Sequence, residues 1–130
     1  MIVIDASAMA EMLMVSEVGK RVADRILAAK HRHVPHLLDI EVTSTLRRFA
    51  LRKQLAASDV LSAIDDMRKF PMRWHGHAGL LDRVFELRHS LTAYDALYLA
   101  LAESLEATLV TCDTALSAVP GARAGVELFA

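Results

Sequence analysis

Four carboxylates stand where an apolar segment ends or a helix begins: Asp5, Glu41, Asp95 and Asp113. Asp5 follows Met1-Ile2-Val3-Ile4, and Asp113 follows Leu109-Val110-Thr111-Cys112. Asp95 opens a segment that reads apolar on every side, Ala96-Leu97-Tyr98-Leu99-Ala100-Leu101-Ala102. Glu41 lies early in a helical segment rich in Leu and Val. Carboxylates beside apolar segments are costly to desolvate unless positive charge meets them. No Lys or Arg adjoins Asp5, Asp95 or Asp113 in sequence. A hard divalent cation would answer all four, because Mg²⁺ takes oxygen ligands. The chemistry this points to is metal-assisted and asks for no nucleophilic side chain. That suits a chain in which no Ser-His-Asp or Cys-His arrangement stands out. Cys112, among apolar and hydroxyl-bearing neighbours, reads as a small core residue.

Alternating strands and helices must position these acids. Residues 1–5 read as a short buried strand, Ser7 to Leu13 as a helix, and Glu17 to Ala29 as a second helix with Val18, Val22, Ile26 and Leu27 at helical spacing. Val34 marks a minimal second strand before Pro35. Residues 36–53 form a strong helix with Leu38, Val42, Leu46 and Phe49 on one stripe. A further helix begins at Ala57 or Ser58 and runs to about Lys69. Phe70 to Trp74 reads as a strand, Ala78 to Arg88 as a helix, and residues 93–106 as a helix capped by Thr92. Thr108 to Thr111 is a strand, Asp113 to Val119 a short helix, and Val126 to Phe129 the last strand. Such alternation implies a three-layer α/β/α sandwich around a short, mainly parallel sheet, in one domain spanning residues 1–130. In such sheets the reactive crevice lies beyond the carboxyl ends of the strands, where Asp5 and Asp113 fall.

Each acid also has a plain structural reading. Asp5 and Asp113 directly precede helices and could be N-caps. Thr92-Ala93-Tyr94-Asp95 could be a capping box, with the Asp95 side chain turned back to the Thr92 amide. Glu41 could be a surface residue. Together these readings weaken. The face holding Asp95 continues through Tyr98, Leu99 and Ala102 and is apolar. Glu41 shares an edge with Thr45 and Arg48 beside the apolar stripe.

Composition narrows the class. The apolar fraction is 54% of 130 residues and mean hydropathy is +0.30. No apolar run approaches the ~20 residues of a membrane span, and Asp5 interrupts the N-terminal apolar stretch, so neither a membrane helix nor a signal peptide is expected. A single cysteine excludes an internal disulfide framework and suits a reducing cytosol. The formal net charge of −1 argues against nucleic-acid binding by bulk charge and leaves room for a local basic patch. The spare apolar content, with Met9, Met12, Leu13 and Met14 close together, predicts a homodimer or an obligate partner.

Four segments in order carry a family likeness. They are Ile2-Val3-Ile4-Asp5-Ala6-Ser7-Ala8, Glu41-Val42-Thr43-Ser44-Thr45-Leu46, Thr92-Ala93-Tyr94-Asp95-Ala96-Leu97-Tyr98-Leu99-Ala100 and Leu109-Val110-Thr111-Cys112-Asp113-Thr114-Ala115-Leu116. In these the chain resembles the PIN-domain ribonucleases, most closely the VapC-type toxins of toxin–antitoxin pairs, over essentially its whole length. The resemblance implies Mg²⁺ or Mn²⁺ held by the four acids, endonucleolytic cleavage of RNA, and a homodimer neutralised by a cognate antitoxin. It implies Asp5 and Asp95 as principal metal ligands, Glu41 and Asp113 completing the pocket, and Ser7 and Thr111 as polar residues that orient water or carboxylates. Phosphodiester hydrolysis is consistent with that donor set, since one or two divalent ions both activate water and relieve charge on the phosphate.

Other features rank lower. His31-Arg32-His33 and His75-Gly76-His77 have a spacing that could bind a transition metal, but no third ligand of the usual spacing is evident. Basic groups at Arg47, Arg48, Arg52 and Lys53, at Arg68, Lys69 and Arg73, and at Arg83 and Arg88 read mostly as solvated faces. Arg48 is the best candidate for a phosphate contact. No glycine-rich phosphate loop exists around Gly76 and Gly79. Two further function classes stand beside the nuclease. A binding module that has lost catalysis is disfavoured by the presence of all four acids. A phosphatase with an aspartyl nucleophile would carry Asp-x-Asp after the first strand, where this chain has Asp5-Ala6-Ser7.

Overall fold

The computed structural model describes residues 1–130. Five strands, β1 (Ile2–Ile4), β2 (Arg32–Pro35), β3 (Arg73–His75), β4 (Thr108–Thr111) and β5 (Val126–Leu128), form one sheet in the order β3-β2-β1-β4-β5. Every neighbouring pair is parallel. The helices are α1 (Ala6–Met14), α2 (Glu17–Ala28), α3 (Leu37–Leu51), α4 (Ala57–Lys69), α5 (Leu81–Glu86) and α6 (Ala93–Leu105). The arrangement is the expected three-layer α/β/α sandwich.

β1 is short because it needs only to cross the core. Ile2, Val3 and Ile4 are fully buried between β2 and β4. α6 is buried along the seven residues Ala96 to Ala102, which is why its sequence is apolar on all sides. It packs on β1, β2 and β4, while α1 packs on β4 and against α2, α3 and α4. α5 lies against α6. Two ion pairs tie down outlying elements. Arg83 grips Glu103 with Nε–Oε1 2.8 Å and Nη2–Oε2 3.0 Å, joining α5 to α6. Arg25 grips Glu127 with Nε–Oε2 2.7 Å and Nη2–Oε1 3.0 Å, joining α2 to β5.

The corner between α1 and α2 is tight. α1 closes on Val15 in the left-handed region, φ 55. Ser16 then caps α2 by accepting the Gly19 amide at 2.9 Å. A Cβ on Gly19 would stand 1.9 Å from the Glu11 carbonyl oxygen, so only glycine lets the two helices approach this closely.

Three elements differ from the sequence expectation at their edges. β3 is Arg73–His75 rather than 70–74, because Pro71 has no amide to give a ladder. Residues 78–88 form a 3₁₀ turn, Ala78–Leu80, followed by the six-residue α5, with Gly79 weakening the helix. After Asp113 only a 3₁₀ turn forms, Thr114–Leu116, and Pro120 disfavours helical backbone at Val119. The Met-rich segment turns inward. Met9 is fully buried, and Met12, Leu13 and Met14 are half-buried against the core.

The order β3-β2-β1-β4-β5 has one topological switch point. From β1 the chain goes first to β2 on one side and later returns to β4 on the other. In parallel sheets the reactive crevice lies beyond the carboxyl ends of the strands at such a point, here those of β1 and β4.

Candidate active site

Asp5 emerges from β1 at this switch point and is 3% exposed. It is the N-cap of α1, its Oδ1 accepting the Ala8 amide at 2.9 Å. The same Oδ1 accepts the Ser7 hydroxyl at 2.7 Å, and Oδ2 accepts a short bond from the Thr111 hydroxyl. Those hydroxyls are fixed in turn by backbone. Ser7 Oγ accepts the Cys112 amide and Thr111 Oγ1 accepts the Asp113 amide, both at 2.9 Å. The end of β4 is thus latched to the end of β1 through two hydroxyls that aim at one carboxylate. Burial pushes the Asp5 carboxyl up to about 6, against the downward pull of Thr111, Ala8 and Ser7, with Asp113 adding repulsion.

The other acids come from three further elements. Asp113 follows β4 and caps the short turn, accepting the Ala115 amide at 2.9 Å. Asp95 sits in the first turn of α6. Thr92 caps that helix by accepting the Asp95 amide at 3.3 Å. The Thr92 amide makes no reciprocal bond to the Asp95 carboxylate, so the capping box is half made. Burial, then repulsion from Asp113, raises the Asp95 pKa, while the Thr92 hydroxyl lowers it. Glu41, half-buried on α3, accepts the Tyr98 hydroxyl at 2.5 Å. Burial raises its pKa, Tyr98 opposes this, and Asp95 adds to it.

The electrostatic coupling therefore runs as a row: Asp5 with Asp113, Asp113 with Asp95, Asp95 with Glu41. None of the four is in an ion pair; the five pairs of the molecule all lie elsewhere. No three of the carboxylates come close enough to grip one ion directly. The donor set nonetheless fits a hard divalent cation. All donors are carboxylate oxygens, three have raised pKa values, and no protein cation neutralises them. Mg²⁺ habitually keeps several waters and binds through one or two carboxylates.

Tyr98, which sequence reading leaves among the apolar positions, also reaches these acids. It is 1% exposed, lies three residues after Asp95 on the same helix face, and donates the only hydrogen bond to the Glu41 carboxylate. An i,i+3 Asp-Tyr pair was the available signal. Arg48 is exposed and donates to the Thr45 hydroxyl at 3.3 Å, with no carboxylate partner. Cys112 is half-buried, and burial pushes its thiol up to about 11, so it is no nucleophile at neutral pH.

The chain is similar to known proteins in sequence and in fold. A family model, the PIN domain, matches residues 2–122. Ribonuclease VapC9 of Mycobacterium tuberculosis is 44% identical over 117 residues, covering 90% of this chain and 89% of the relative. The crystal structure of PAE2754 from Pyrobaculum aerophilum has a TM-score of 0.74 at 22% identity, over 96% of this chain and 81% of that one. A toxin–antitoxin complex from Klebsiella pneumoniae has a TM-score of 0.65 at 16% identity, over 98% of this chain and 96% of that one. At such identities the two solved structures show a shared fold. The chain belongs to the PIN-domain family and, within it, to the VapC ribonucleases.

Proposed function

We infer that this chain is a metal-dependent endoribonuclease and the toxin of a toxin–antitoxin pair. The observation that carries the reading is the row of buried and half-buried carboxylates, free of any protein cation, at the switch point of a parallel sheet. Its identity to a named ribonuclease supports RNA as the substrate.

Asp5 and Asp95 would hold Mg²⁺ or Mn²⁺, with Asp113 and Glu41 completing the pocket. When bound, the ion would supply an activated water and relief of charge on the phosphate. The chain's own residues do the positioning. Ser7 and Thr111 hold both oxygens of Asp5 in place. Tyr98 holds Glu41 toward the crevice. Arg48, solvent-exposed and unpaired with any acid, is placed to meet an RNA phosphate near Glu41.

Partners are part of the same proposal. An apolar cleft of about 210 Å³ lined by Leu37, Leu81, Val84, Tyr94 and Leu97 draws on α3 and α6, the helices that carry Glu41 and Asp95. Leu81 and Tyr94 of its lining are exposed, as is Phe85 on α5. This surface supports a homodimer and an antitoxin segment that docks near the active site. No helix is long and apolar enough to cross a membrane, and the single free cysteine suits the cytoplasm.

The test is RNA cleavage by the purified protein in Mg²⁺ or Mn²⁺, in chelator, and by Asp95→Asn. Cleavage that needs the ion and is lost in Asp95→Asn by at least a hundredfold supports the reading. An Asp95→Asn protein that cleaves like wild type overturns the site assignment. Cleavage undiminished by chelator removes the metal.

A further inference from the structure

A second charged feature lies at the opposite end of the sheet. The amino ends of β2 and β3 border an open cleft of about 360 Å³ lined by Lys30, His31, Arg32, His33 and Arg73, and no acidic residue lines it. Lys30, Arg32 and Arg73 take part in no ion pair. Arg32 is held in place without being neutralised. Its Nε donates to the Ile26 carbonyl at 2.9 Å, its Nη1 to the Pro71 carbonyl at 3.4 Å, and its guanidinium lies 5.1 Å from the Phe70 ring centroid. A positioned arginine flanked by exposed cations is the arrangement that receives phosphate oxygens. The positive potential is felt by neighbours. The His33 imidazole is held below its ordinary range by burial first, then by His75, Arg73 and His31. In a chain of net charge −1 this concentration of cations is local, not a bulk property.

We propose that the cleft at Lys30, Arg32 and Arg73 is an RNA exosite that binds the substrate's phosphate backbone away from the scissile bond. This rests on the endoribonuclease reading above. The strands between the two ends are three or four residues long, so the sheet is roughly 10–13 Å deep. An RNA that wraps the edge of the sheet can place one phosphate at the acids and others in the cleft. The acidic pocket repels the backbone except where an ion intervenes, so separate cations must supply affinity. The cleft's openness and its two exposed cations, Lys30 and Arg73, suit a polyanion passing through rather than an enclosed small ligand.

The test compares wild type with the double variant Lys30→Gln/Arg73→Gln, using a labelled RNA hairpin that contains a single-stranded loop. Arg32 is left intact because its backbone contacts support the fold. Binding is measured in chelator over a salt series, and cleavage in Mn²⁺. The expected result is a several-fold weaker affinity and a log K against log salt slope shallower by roughly 1.4 to 1.8, the loss of two phosphate contacts. KM should rise several-fold while kcat stays unchanged, because neither residue touches the acids. Equal affinities and slopes overturn the exosite. So does a kcat that falls as KM holds, which would make the cleft a support of the active site. If the double variant loses binding of inorganic phosphate but keeps the RNA slope, the cleft is a small-anion site and the proposal fails. Wild type that cleaves no RNA in Mn²⁺ would overturn the nuclease reading and this inference with it, an outcome distinct from the others.

Discussion

At the scale of single residues, the cost of Asp5 defines the site. A carboxylate 3% exposed with no cation destabilises the ion-free fold once it ionises. Its pKa in the fold, about 6, lies above the ordinary 3.8. The unfolded chain therefore releases this proton first as pH rises. Stability of the metal-free protein should fall between about pH 4 and pH 6, by about 3 kcal/mol from this group, and level off above. Asp5→Asn should lack that fall, which urea melts of both proteins across this range would reveal. A flat difference between them would mean that Asp5 ionises freely in the fold. Tyr98→Phe is a gentler probe. It removes one hydroxyl from a close-packed position and frees the Glu41 carboxylate. Losing a hydrogen bond to a charged acceptor is worth about 1.5–3 kcal/mol. RNA cleavage should drop about tenfold or more, and the thermal midpoint should fall by several degrees. Unchanged cleavage would make Tyr98 a core residue only.

At the scale of elements, most of the scaffold was legible in the sequence because its signals are local. β1 and β4 are short apolar runs, and Asp5 and Asp113 end them. α6 reads as a buried helix because apolar residues fill all its faces, and Thr92 marks its start. What was not legible depends on approach between distant segments. The Tyr98–Glu41 bond spans 57 positions. The two histidine motifs read as local chelates, but the side chains of His33 and His75, one from each motif, meet across β2 and β3, ring nitrogens 2.8 Å apart. Residues 78–88 have helical apolar spacing, yet Gly79 and the short reach to α6 leave only one and a half turns of α5. The α1–α2 corner was likewise hidden, since nothing in Ser16-Glu17-Val18-Gly19 says how near Glu11 will come. Gly19→Ala should cost more than 2 kcal/mol, because the added methyl meets backbone that cannot yield. A midpoint shift of less than a degree on thermal melting would show that the corner relaxes.

At the scale of the whole molecule, the apolar excess is divided between core and surface. Of the α1 methionines, Met9 is in the core and Met12 and Met14 are half-buried against it. Leu81, Phe85 and Tyr94 remain exposed. A homodimer built on them would sediment near twice 14.3 kDa at micromolar concentration, and Tyr94→Asp should shift it toward the monomer. Wild type that sediments as a clean monomer would leave this surface to the antitoxin alone.

The central claim is that the uncompensated acids at the switch point exist to meet a divalent ion. Thermal melting of wild type and Asp5→Asn at pH 7, in chelator and in millimolar Mn²⁺, tests it most directly. An ion that binds only the fold stabilises it in proportion to its affinity. The stability gap between the two proteins should narrow in Mn²⁺. Asp5→Asn should melt higher in chelator, where the buried charge is removed, and wild type should gain several degrees in Mn²⁺ while the variant gains little. Equal gains in Mn²⁺ for both proteins, or a wild type already the more stable in chelator, would contradict it.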